Sequence, residues 1–138
     1  MVIDASAIVA IFFEEPDYRV LLNLIEGAPS RVISAGTLLE AGIVLDQSAI
    51  RSNQYHDRLD KFLEAMHIQV AAFSEEQAQM AREAYRQYGK GRHPAGLNFG
   101  DCMSYALAKS LDEPLLFKGT DFSLTDVRAA EKPQRLGG

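Results

Sequence analysis

Short apolar runs separated by helix-patterned stretches constrain this chain more than any other feature. Val2-Ile3, Arg31-Val32-Ile33-Ser34, Ile68-Gln69-Val70 and Pro114-Leu115-Leu116-Phe117 read as strands, with helical spacing filling the intervals between them. Strands joined by helical crossovers pair in parallel, and parallel strands are buried on both faces. The expected fold is therefore a three-layer α/β/α sandwich around a central parallel sheet. At 138 residues, 47% of them hydrophobic, a single domain spanning 1–138 would bury about two-thirds of the surface its unfolded chain exposes.

The intervals carry their own start and stop signals. Asp4-Ala5-Ser6 leads into the apolar run Ala7 to Phe13. From Asp17, the residues Val20, Leu21, Leu24 and Ile25 share a helix face that ends near Gly27. Thr37 with Glu40, Ser74 with Gln77 and Asn98 with Asp101 each have the spacing of a helix-capping box. Arg51 to Gln54 leads into a helix marked by Leu59, Phe62, Leu63 and Met66, and Met103, Leu107, Ala108 and Leu111 mark a late one. Gly89 to Gly96, rich in glycine and carrying Lys90, Arg92 and His93, reads as a mobile cationic loop. Beyond Leu124 the pattern fades, so no last strand is placed and Ala129 to Gly138 reads as a loose or partner-facing tail.

Several classes of function are disfavoured. The net charge of −5 weighs against a partner held only by a basic face, because phosphate binding draws its strength from Lys and Arg. Cys102 is the sole cysteine and no His/Cys group has zinc-ligand spacing, which suits a reduced, cytoplasmic setting. No apolar run reaches the roughly 18 residues of a membrane span, and Met-Val-Ile-Asp-Ala-Ser lacks the charged start of an export signal.

Four acids do not fit a solvated surface. In open parallel sheets ligands bind beyond the carboxyl ends of the strands. Asp4 directly follows the first strand, and Asp121 lies in the turn after the last apolar segment. Glu40 and Asp101 open helices. If these helices begin at one sheet edge, the four carboxylates converge, and like charges so placed trap protons or hold a divalent cation. An all-oxygen donor set suits Mg2+ or Mn2+. Such a metal activates water and clamps a phosphodiester, so the implied chemistry is phosphodiester hydrolysis, with Ser6 and Thr120 as orienting neighbours. But for one unit, the net charge of −5 equals that of these four acids.

Each residue also has a plainer reading. Glu40 and Asp101 suit the helix dipole, and Asp121 suits an ordinary turn. Arg82, Arg86, Lys90 and Arg92 form either a solvated face or a set of RNA-phosphate contacts. Tyr85 and Tyr88 suit packing or base stacking, Cys102 a buried helix position and His93 a solvated loop.

Four segments in order, Met1-Val2-Ile3-Asp4-Ala5-Ser6-Ala7, Glu40, Leu97-Asn98-Phe99-Gly100-Asp101-Cys102 and Phe117-Lys118-Gly119-Thr120-Asp121-Phe122, resemble a PIN domain. Within that family the chain resembles the VapC toxins of bacterial type II toxin-antitoxin pairs. The resemblance covers essentially the whole chain. It implies a Mg2+- or Mn2+-dependent ribonuclease in which Asp4 and Asp101 match the acids that bind metal most directly. Glu40 and Asp121 match those that complete the pocket, and Ser6 and Thr120 the polar neighbours. It also implies a homodimer and a hetero-oligomer with a cognate VapB antitoxin, whose C-terminal segment lies across the active-site groove and which carries operator DNA binding. The RNA target is left open.

Two rivals come from other classes. A phospho-accepting receiver domain needs an acidic pair at the end of its first strand, where this chain has Asp4 followed by Ala5; a haloacid dehalogenase-like phosphatase needs a second Asp where Ser6 stands. A non-catalytic interaction module on the same scaffold stays open.

Overall fold

A computed structural model describes residues 1–48 and 52–131. Strands β1 (Val2–Ile3), β2 (Val32–Ser34), β3 (Gln69–Ala71) and β4 (Leu115–Leu116) form an all-parallel sheet in the order β3-β2-β1-β4. The pairing sets Val2 beside Val32 and Leu115, and Val32 beside Gln69. Six helices connect them: α1 (Ala5–Phe12), α2 (Tyr18–Gly27), α3 (Ala35–Asp46), α4 (Ser52–Ala65), α5 (Glu75–Tyr88) and α6 (Phe99–Leu111).

The period-2 alternation of strand side chains splits the core in two. Ile3, Ile33 and Leu116 pack with α1 to α4, around Ile8, Ile25 and Leu45. Val2 and Leu115 point the other way and pack with α5 and α6, around Ala84, Leu97 and Leu107. Each fully buried aliphatic side chain contributes about 1.5–3 kcal/mol of transfer free energy. The three-layer arrangement expected from the strand and helix pattern is thus the one the chain adopts. No helix among the described residues is long and apolar enough to cross a membrane.

Three local expectations change. Thr37 does not cap α3: Ser34 is the N-cap, β2 running directly into the helix. Thr37 is instead buried in the first turn with its hydroxyl 3.1 Å from that of Ser104, and Glu40 lies past that turn. The Gly89–Gly96 loop is closed by Lys90 N–H donating to Leu97 O (2.9 Å) and Leu97 N–H donating to Tyr88 O (2.9 Å). The missing last strand is a single bridge, Ala129 beside Leu115, because a short sheet edge needs only Leu115 N–H to Arg128 O and Ala130 N–H to Leu115 O. Arg51 and the tail from Lys132 onward lie outside the described residues.

Candidate active site

The strand order reverses at β1: the chain moves outward to β2 and β3 on one side, and β4 joins on the other. Crevices form beyond the carboxyl ends of strands at such a point. There a cavity of about 390 Å³ is lined by Asp4, Ser6, Glu40, Asp101, Lys118 and Gly119, with Ala5, Val9, Glu15 and Val44.

Asp4 is the most tightly held of these groups, at 3% exposure. Extended at the end of β1, it donates its N–H to Leu116 O (2.9 Å), and its carboxylate caps α1 by accepting from Ser6 N–H (3.0 Å) and Ser6 Oγ (2.6 Å). The other carboxylate oxygen accepts from Ser104 Oγ on α6 at 2.5 Å. Ser104 in turn meets Thr37 on α3, and Ser6 Oγ accepts from Lys118 N–H after β4 at 3.0 Å. Four segments are thereby joined through one carboxylate.

Glu40 reaches the cavity from α3 because α6 offers no side chain at Gly100. A Cβ on Gly100 would stand 1.8 Å from Glu40 Oε2 and 2.4 Å from its Cδ. The two helices also meet at Gly36, where a Cβ would lie 2.2 Å from Met103 Sδ. Burial, with Asp4 and Asp101 adding like charge, pushes the Glu40 carboxyl up to about 7. Asp101 forms the expected capping box, accepting from Asn98 N–H at 3.1 Å while its own N–H donates to Asn98 Oδ1 at 2.9 Å. Burial pushes it up to about 6, with Asp4 and Asp121 raising it further against the Asn98 hydrogen bond.

Asp121 and Thr120 do not line this cavity. Asp121 opens a short 3₁₀ helix, Asp121–Leu124, exposed but near enough for its charge to act on Asp101; Thr120 is exposed at its N-cap and makes no capping bond. Arg82, Arg86 and Lys90 line a different cavity, of about 660 Å³, between α5 and α6. Arg92 stands outside both, 6.0 Å above the Tyr85 ring.

Sequence reasoning missed Ser104, Thr37 and Lys118 as neighbours of this cavity. Ser104 is the one serine in the buried stretch Cys102–Ala108, three positions past Asp101, and a small polar residue among these neighbours was the available signal. Lys118 Nζ is held 3.0 Å from both Glu15 Oε2 and Pro16 O, placing a cation in the cavity wall.

The donor chemistry suits a hard divalent cation: oxygen ligands, mutual repulsion and two carboxyls near neutral pKa. Among the described residues no group of three or more Asp, Glu, His or Cys side chains is placed to hold a metal ion together. Mg2+ does not require one, since it is commonly bound through one or two carboxylates, retained waters and substrate phosphate.

Residues 1–128 match the PIN domain family. Ribonuclease VapC of Mycolicibacterium smegmatis is 49% identical over 130 residues, covering 94% of this chain and 98% of the relative. Among solved structures, Mycobacterium tuberculosis VapC20, a sarcin-ricin loop cleaving toxin, superposes with a TM-score of 0.74 at 15% identity, covering 91% of this chain and 95% of that one. VapBC2 from Rickettsia felis bound to a DNA fragment from its promoter gives 0.72 at 17% identity, covering 94% and 96%. With its parallel sheet and the cavity at the switch of strand order, the chain belongs to the PIN-domain family, and within it to the VapC ribonucleases.

Proposed function

We propose that the chain is the toxin of a VapBC-type pair, a Mg2+- or Mn2+-dependent ribonuclease that hydrolyses RNA phosphodiester bonds at the acidic cavity. The observation that carries this reading is the convergence of Asp4, Glu40 and Asp101 on one cavity at the strand-order switch. The VapC names of its relatives support the substrate class.

A bound divalent cation would polarise the scissile phosphate and acidify a water there. The chain's own residues divide the remaining work. Asp4, fixed by Ser6 and Ser104, offers a carboxylate of set direction. Glu40 reaches the same cavity from α3, its carboxyl raised in the metal-free chain by burial and by the like charges of Asp4 and Asp101. Asp101 brings the second acid from α6, with Asp121 adding negative charge at the rim. Lys118 offsets part of the acidity beside the entering phosphate. Glu15 holds that lysine in place.

A VapB-type antitoxin is the expected inhibitor, its C-terminal segment crossing the cavity mouth. Homodimers, a toxin-antitoxin hetero-oligomer and DNA binding through the antitoxin belong to the same reading. The Rickettsia felis assembly supports the last of these by likeness of fold.

The test uses the purified chain freed of antitoxin. Cleavage of RNA should appear with Mg2+ or Mn2+, stop in EDTA, and be lost in Asp4→Asn and Asp101→Asn with circular dichroism unchanged. Full cleavage in EDTA, or in both variants, refutes the mechanism. No cleavage under any condition favours the non-catalytic module.

A further inference from the structure

Beside Asp4, Glu40 and Asp101 the acidic cavity is lined by Lys118 and Gly119, in the turn that follows β4. Charge alone does not account for the way this pair is held. Lys118 is fixed at both ends. Its backbone N–H donates to Ser6 Oγ at 3.0 Å, the hydroxyl that also holds Asp4, and its Nζ lies 3.0 Å from both Glu15 Oε2 and Pro16 O. Both acceptors belong to the turn between α1 and α2, whose course takes left-handed backbone at two non-glycine residues, Glu14 (φ 50°) and Asp17 (φ 71°). Residues with a Cβ adopt that conformation at a cost, and it persists where surrounding contacts hold it. A lysine tied at both ends has already lost the rotamer freedom that binding a ligand would otherwise take from it.

An ammonium has three N–H donors. Two are spent on Glu15 and Pro16, and with the Lys118 side chain 32% exposed the third is left for a ligand in the cavity. Gly119 supplies a neighbouring donor. Its backbone has φ 100°, its N–H has no acceptor among the described residues, and a Cβ added there would meet nothing within 4 Å. A ligand can therefore come close to the main chain at this point. An ammonium beside an open backbone N–H suits an anion with several acceptor oxygens, as a phosphodiester has. The carboxylates engage a phosphate only through a cation, whereas these two donors need none.

We propose that Lys118 and Gly119 form a phosphate subsite of the cavity. The Lys118 ammonium and the Gly119 N–H grip a backbone phosphate of the RNA strand directly, and the turn between α1 and α2 positions the lysine for it. This assignment rests on the ribonuclease reading and gives that site a metal-independent hold on its substrate. It reads the backbone and carries no base information. A lysine that merely fastened one turn to the other would use the same two bonds, and the experiment separates the two roles.

Fluorescence anisotropy of two labelled single-stranded RNAs of unrelated sequence is measured with the full-length chain in EDTA over a range of salt. Cleavage in Mg2+ and thermal denaturation are followed in parallel. Lys118→Met should weaken binding of both strands about tenfold and flatten the dependence of log Kd on log salt by about 0.7, the share of one phosphate on a single strand. Lys118→Arg, which keeps the charge, should restore the slope, and Lys61→Ala, an exposed cation on α4, should change neither quantity. In the wild type, inorganic phosphate added in EDTA should shift the Gly119 amide resonance more than that of Gly27, a glycine equally open to solvent. An unmoved Gly119 resonance overturns the subsite. So does wild-type affinity and slope in Lys118→Met, and a lowered melting temperature with that slope identifies a structural tie. Either result alongside Mg2+-dependent cleavage by the wild type leaves the ribonuclease reading standing, whereas a wild type that neither binds nor cleaves RNA overturns both.

Discussion

Gly100→Ala separates the positioning of Glu40 from the stability of the fold. The new Cβ would lie 1.8, 2.4 and 2.6 Å from Glu40 Oε2, Cδ and Oε1. Ordinary contact begins near 3.4 Å, so the carboxylate must retreat by more than an ångström. It has somewhere to go, since Glu40 is half-buried beside an open cavity of about 390 Å³. Glycine in a helix costs up to about 1 kcal/mol relative to alanine, and that gain offsets the rearrangement. The melting temperature should stay within a few degrees of wild type. The catalytic effect is larger, because a displacement of about 1 Å at a reacting group costs on the order of 100-fold. The assay is kcat/KM for RNA cleavage in saturating Mg2+, alongside thermal denaturation. The control is the same substitution in a Glu40→Ala background, where it should cost nothing further, as coupled residues are non-additive. Activity within about threefold of wild type, or an equal loss in the Glu40→Ala background, refutes the role given to this close approach.

Three other outcomes follow from the same geometry. Glu40 and Asp101 have raised pKa values, so the folded chain holds their protons to higher pH than the unfolded chain does. The stability they contribute is complete below about pH 4 and lost as pH rises through 6 and 7. Discounted for partial solvation, this amounts to about 1–2 kcal/mol for the pair; melts in EDTA should show it and Mg2+ should cancel it, whereas stability that rises over that range contradicts the site's electrostatics. Ser104→Ala leaves an oxygen of buried Asp4 and the Thr37 hydroxyl without a partner. It should cost about 1–3 kcal/mol in denaturant unfolding, and an unchanged midpoint would mean Asp4 is oriented otherwise. Tyr105→Phe removes the 2.5 Å bond to Asp126, a carboxylate also held by Lys109 and kept below its usual range by these two partners despite some burial. It should cost about 1 kcal/mol with RNA cleavage unchanged, since Tyr105 lies outside the acidic cavity; reduced kcat would place it in the reaction.

What the sequence made legible was whatever rests on local pattern. Strand and helix alternation carried the three layers, and the Asn98–Asp101 spacing carried a capping box that the structure contains. The Thr37–Glu40 spacing is identical in kind yet marks no cap. There β2 enters α3 without a loop, and a hydroxyl inside the core is worth more bonded to Ser104 than to a helix end. Asp4, Glu40 and Asp101 converge because α3 and α6 cross where Gly36 and Gly100 allow it, a contact between distant segments that periodicity does not encode. The same limit applies to the basic residues: Arg82 and Arg86 share a helix spacing and Lys90 and Arg92 lie in the loop that follows, but only the packing of α5 on α6 sets Arg82, Arg86 and Lys90 around an apolar groove. The last strand was invisible because one bridged residue, Ala129, has no pattern to read.

The web around Asp4 also sets an order of events during synthesis. Its bond to Ser104 joins residues 100 positions apart, and the bond from Lys118 to Ser6 spans 112. β1 has no β4 to lie against until almost the whole chain has been made. The first acid of the site is thus translated at the outset but aligned nearly last. A growing or truncated chain that ends short of Lys118 carries Asp4, Glu40 and Asp101 without the arrangement that gathers them. On the proposed ribonuclease reading, a chain still being made lacks the arrangement that cleavage requires.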